Sequence, residues 1–119
     1  MKKKIVIAFL MACIFASCKY NVEEELYGAC STAGVTYSVT IKNILDNNTC
    51  ISCHGGSFPS GNINLENYVG VRTQALNGKL FGAVNHSPGF SAMPRGGSKI
   101  TPCEIAKIKA WIDAGAPQN

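Results

Sequence analysis

Residues 101–117 read TPCEIAKIKAWIDAGAP, and this stretch decides the fold class. Thr101 suits an N-cap, Pro102 the first helical position, and Glu104 completes a T-x-x-E capping box. Ile105, Ile108 and Ile112 recur at i, i+3 and i+7 on one face, with Trp111 beside it. Gly115 supplies the stop and Pro117 follows it. Working outward, residues 38–47 carry the same period, with Ile41, Ile44 and Leu45 on one stripe that ends at Asn47-Asn48-Thr49. Residues 65–77 (LENYVGVRTQALN) predict a helix with Leu65, Tyr68, Val69 and Leu76 on a shared face and Gly78 after its end; residues 79–84 predict a further short helical turn. Residues 54–64 (HGGSFPSGNIN) and 85–99 (NHSPGFSAMPRGGSK) are rich in Gly, Pro, Ser and Asn and read as loops. A loop as long as the second tends to be functional. No segment alternates with the period of a strand. The expectation is an all-α domain of three to four short helices with long loops.

The chain has 119 residues, enough for one domain. Its 46% hydrophobic and 15% charged content is that of a folded protein, not a disordered one. The N-terminus reads as a secretory signal over residues 1–17: Lys2, Lys3 and Lys4, then an apolar run from Ile5 to Phe15, then small Ala16 and Ser17. That run is shorter than the roughly 20 residues a membrane span needs. Phe-Ala-Ser-Cys resembles a bacterial lipobox, with Phe15 where Leu is usual, which would make Cys18 a lipidated N-terminus after cleavage. Residues 18–34, polar and with Glu23, Glu24 and Glu25 in a row, read as a solvated tether, and residues 35–119 as the domain. The formal charge of +4 is mostly the leader's: beyond residue 17, eight basic residues face seven acidic ones, a net of +1. No basic patch of the kind nucleic acid requires survives.

A hundred residues in a few short helices with Gly-rich loops make a small core, which something large and apolar at its centre would help to fill. Residues 50–54 point to what that is. Cys50-Ile51-Ser52-Cys53-His54 is C-x-x-C-H, the attachment sequence for c-type haem. Two thiols at i and i+3 on a helical turn can add to the two vinyl groups of one porphyrin edge, and the adjacent His can bring an imidazole nitrogen to the iron. A thioredoxin-like pair expects a βαβ setting, and a zinc site expects a second ligand pair at short spacing; neither is found. Beyond the leader Met93 is the only Met, directly before Pro94 in the long loop, and Met/His ligation raises a haem potential. It is the first candidate for the sixth ligand, with His86 as its rival. Cys13 leaves with the leader, so Cys30 and Cys103 remain; in an oxidising compartment they suggest a disulfide.

The chain resembles small class I-type monohaem cytochrome c domains, in particular lipoprotein-like ones ending in a W-I-x-x-G-A-P helix. The segments that carry the resemblance are 50–54, 82–86, Met93-Pro94 with Gly96-Gly97, and 105–117, covering most of residues 36–117. The resemblance implies thioether bonds from Cys50 and Cys53 and axial ligation by His54 and Met93. It also implies first and last helices that cross near one haem edge, with Ile41 or Leu45 against Ile108 or Ile112. Such proteins often orient the proximal imidazole with a Pro-associated carbonyl, and Pro59 is the candidate. Phe58, Leu65, Tyr68, Phe81, Phe90, Ile100 and Trp111 are candidates to line the pocket or simply to pack the core. The implied role is a non-enzymatic one-electron carrier with one covalent haem c. It would be exported, lipid-anchored to a bacterial membrane facing the periplasm or the cell surface, and would meet redox partner proteins rather than a small-molecule substrate. A haem sensor or peroxidase-like protein with a labile sixth ligand is the alternative, and a haem-free structural or thiol-redox lipoprotein a third class.

Overall fold

Every regular element of the computed structural model, which describes residues 30–119, is a helix. The expected leader, the lipid candidate Cys18 and most of the expected tether lie outside the described residues. Residues 31–119 form one unit. Helix α1 opens with a π-helical turn, Tyr37–Ile41, and continues as α-helix through Lys42–Asn47. Then come α2, Cys50–His54; a 3-10 turn, Ser60–Asn62; α3, Tyr68–Leu76; α4, Lys79–Val84; and α5, Pro102–Asp113. No described helix is long and apolar enough to cross a membrane.

The capping box of α5 forms as its sequence dictates. Thr101 Oγ1 accepts from the Glu104 amide at 3.2 Å, and the Glu104 carboxylate accepts from the Thr101 amide at 2.9 Å. The far end closes as a Schellman motif around Gly115 (φ 91°): the Gly115 amide donates to Ile112 O, and the Ala116 amide to Trp111 O, both at 2.9 Å. The turn folds the C-terminal residues back onto the core. Trp111 Nε1 donates to Pro117 O and Tyr68 Oη to Ala116 O, each at 2.9 Å. Tyr37 completes the seam, edge-on to Tyr68 and inclined over Trp111. Asn119 then caps α1, accepting from the Tyr37 amide through Oδ1 and from the Ser38 amide through its carbonyl. The opening turn of α1 packs on α5, and Ile41, Leu45, Ile108 and Trp111 are nearly or wholly buried in one core. The helices implied by the resemblance to meet thus do meet.

Helix α3 departs from the predicted face. It begins at Tyr68, not Leu65, because Asn67 Oδ1 accepts from the Gly70 amide and sets the N-cap there. The register then buries Val71 and Ala75, while Val69 and Leu76 are 70% and 52% exposed. Leu65 is buried, but from the extended segment before the helix. Phe58, at 97% exposure, sits on the surface and lines no interior. Phe90 is half-exposed, its ring laid over Gly82, where a Cβ would meet ring carbons at 2.5–2.6 Å. Leu65, Ile100 and Trp111 are core residues, and Tyr68 and Phe81 pack against them.

Glu104 is also the bridge to α1, because Asn48 Nδ2 donates to its Oε1 at 2.9 Å while also donating to Ile44 O. Partial burial pushes the Glu104 carboxyl up, but hydrogen bonds from Asn48 and from the Thr101 side chain and amide outweigh it, leaving the carboxyl below the ordinary glutamate value. A lowered folded-state pKa adds stability above the unfolded value, and that stability is lost as pH falls through the folded one. Glu104→Gln is therefore expected to lower the thermal midpoint at neutral pH and to converge with wild type in acid; parallel curves would refute the assignment. Thr101→Ala should cost about 1 kcal/mol at neutral pH in denaturant titrations, and less in acid, where the Thr101 hydroxyl no longer faces a charged Glu104 carboxylate.

Candidate functional site

The C-x-x-C-H motif forms a single helical turn, α2, reached through a sharp reversal. Thr49, the residue before Cys50, lies in the left-handed region at φ 56°, costly for a β-branched side chain. The turn is held by the Thr49 amide on Asp46 O and by the Ser52 amide and hydroxyl on Thr49 O. Cys50 and Cys53 are both free thiols on this turn. Cys50 is half-buried and packs against the core, whereas Cys53 is exposed. Burial pushes the Cys50 thiol up; its own backbone hydrogen bond opposes this, and Glu104, Asp46 and Cys53 add to it. Cys30 and Cys103 are each disulfide-bonded.

His54 is half-buried at the end of the turn, and the returning loop holds it. Its Nδ1 lies 3.2 Å from the Ile63 carbonyl oxygen. A carbonyl only accepts, so Nδ1 carries the proton in this bond, and in the neutral ring Nε2 is the nitrogen that keeps its lone pair. The carbonyl belongs to Ile63 and not to Pro59, which the resemblance had singled out. Pro59 instead precedes the 3-10 turn, accepting from the Asn62 amide. The loop is fastened twice more: the Leu65 amide donates to His54 O at 2.7 Å, and the Gly56 amide to Glu66 Oε2 at 3.0 Å.

The long loop after α4 folds back on that helix. The Met93 amide donates to Ala83 O at 3.0 Å, and the Met93 carbonyl lies 3.0 Å from His86 Nε2. The half-buried Met93 is therefore pinned through both of its main-chain polar groups. His86, named as the rival ligand, has its ring tip committed to this carbonyl. It also occupies the left-handed position that ends α4, at φ 52°. Its amide donates to Ala83 O and the Ser87 amide to Gly82 O, a second Schellman motif. A left-handed non-glycine residue costs on the order of 1 kcal/mol. The Met93-Pro94 peptide is cis.

The donor set fits a covalently held haem: two unpaired thiols at i and i+3, an imidazole with its outer nitrogen available, and a thioether on an anchored loop. No group of three or more His, Cys, Asp or Glu that could hold a metal ion occurs among the described residues. Comparison with protein-family models, with curated proteins and with solved structures finds no match to this chain.

The two thiols differ enough to be told apart chemically. In the haem-free protein, iodoacetamide at mildly alkaline pH is expected to label Cys53 well before Cys50, read by peptide mass spectrometry. Faster labelling of Cys50 would contradict the burial described.

Proposed function

We propose that this chain is an exported monohaem c-type cytochrome that carries single electrons. One observation carries the reading. The imidazole directly following two free thiols on one helical turn has its Nδ1 engaged by a main-chain carbonyl, which leaves Nε2 free to serve as a ligand. Cys50 and Cys53 would hold the group through thioethers, His54 through Nε2 and Met93 through its sulfur. When bound, haem c supplies reversible one-electron Fe(III)/Fe(II) chemistry. The chain's own contribution would be to offer the group two donors of unlike character, the neutral nitrogen of His54 and the soft sulfur of Met93. With both bound the metal would have no position left for a further ligand, which favours electron transfer over gas sensing or peroxide chemistry. The lipid on Cys18, the Cys30–Cys103 pairing and attachment to a bacterial membrane facing the periplasm or the cell surface belong to the same proposal. The tether would let the domain swing between redox partner proteins.

The deciding experiment is production in a host with cytochrome maturation machinery, followed by a pyridine haemochrome spectrum and intact mass. One haem per chain, lost from the Cys50→Ala/Cys53→Ala double variant, is expected. Unmodified thiols in wild-type protein would overturn the reading.

Substitutions at the axial positions should separate. His54→Ala is expected to abolish the low-spin spectrum. Met93→Ala should keep the covalent haem, lower the reduction potential and admit carbon monoxide to the ferrous iron. Low-spin, carbon monoxide-resistant Met93→Ala protein would remove Met93 as the sixth ligand.

A further inference from the structure

We infer that His86 is a positioning residue, a clamp that holds Met93 in place; the inference rests on the haem reading above and assigns His86 a different part from that of a ligand. Three observations converge on it. His86 Nε2 donates to the Met93 carbonyl at 3.0 Å. The Met93 amide is fixed in turn to Ala83 O, one residue before the end of α4. His86 itself is held at the left-handed C-terminal position of that same helix, where its amide also donates to Ala83 O. Helix, imidazole and Met93 main chain therefore close a small ring of hydrogen bonds.

The residue type at position 86 is the informative feature. A left-handed helix stop favours glycine, and Gly115 fills the equivalent place after α5. Glycine at 86 would complete the α4 stop with less backbone strain, yet it would leave the Met93 carbonyl without its donor. Histidine reaches that carbonyl across the loop from a fixed origin. A thioether is a weak ligand on a flexible side chain, so its hold on a metal depends on how well its backbone is localised. The clamp does this with a main-chain bond on either side of the Met93 α-carbon.

The two roles of His86 can be separated by His86→Gly, which relieves the backbone and removes the donor, and by His86→Gln, which restores a side-chain N–H. In the haem-loaded full chain the probe is imidazole titrated into the ferric protein. The thioether-to-iron charge-transfer band serves as second readout. His86→Gly is expected to keep or raise the thermal midpoint while binding imidazole about ten- to a hundredfold more tightly and weakening the band. His86→Gln is expected to behave nearly as wild type. In the full chain produced without haem, amide hydrogen exchange at Met93 should accelerate in the Gly variant and not in the Gln variant. This arm reports the clamp independently of whether haem is attached, so failure of the clamp and failure of the haem reading are separate results. Unchanged imidazole affinity in His86→Gly, or a Gln variant as open as the Gly variant, would overturn the inference. So would loss of the sixth ligand in His86→Gly together with an inert Met93→Ala, because His86 would then be the ligand.

Discussion

The bond between His54 Nδ1 and the Ile63 carbonyl is the contact around which the rest of the site is arranged. Residues 55–64 hold four glycine, serine or proline positions before the 3-10 turn and little that packs, so the loop has few apolar contacts to order it. His54 supplies the order from both of its ends. Its side chain donates to Ile63, and its carbonyl accepts from the Leu65 amide two residues further on. The segment that returns from the loop is thus paired to a single residue through main chain and side chain together. Because the acceptor is a carbonyl, it dictates which ring nitrogen carries the proton without help from a titrating neighbour.

That arrangement hangs on a frame built elsewhere. The ring seam of Tyr37, Tyr68 and Trp111, together with the return of residues 115–119, binds the first and last helices to each other and to α3. Asn48 links the end of α1 to the start of α5 through Glu104, immediately before the reversal at Thr49. The motif turn therefore starts from a point fixed by two helices. Its buried side, through Cys50 and Ile51, leans on the core, while Ser52 and Cys53 face outward. A small domain with long loops achieves rigidity at such junctions, where one polar side chain satisfies two elements at once.

Much of the frame was legible in the sequence because its signals are local. The T-x-x-E box, Pro102 and Gly115 each act within one helical turn, and the structure follows them to the residue. The apolar stripe of Ile41, Ile44 and Leu45 is buried as its period requires. Helix α3 departs from its sequence pattern because Leu65 imitates the first residue of a helical stripe; Asn67 as cap sets the start three residues later and turns the buried face to Val71 and Ala75. Of the candidate site, Cys50, Cys53 and His54 are nominated by their spacing alone. The partner of His54 is not: the choice between Pro59 and Ile63 depends on how a loop of ten residues returns, and no local rule specifies that. Nor is the bond from His86 to Met93, since a left-handed histidine leaves no mark in the sequence beyond the absence of a glycine.

The two imidazoles show how one chemistry yields two roles. Each histidine donates to a main-chain carbonyl, but through opposite nitrogens. His54 uses Nδ1, the nitrogen beside its own backbone, and so frees the ring tip, which reaches furthest from the chain and meets least steric hindrance. His86 uses the tip itself, and the nitrogen left over is the one shielded by its own main chain. On the proposed reading this asymmetry sorts ligand from support. A ring whose tip is unspent can approach a metal, and a ring whose tip is spent can only hold what does. Met93, the residue it holds, needs such support most: a sulfur at the end of a flexible side chain has neither charge nor rigidity to keep it at an iron, and its backbone is the only part the fold can grip.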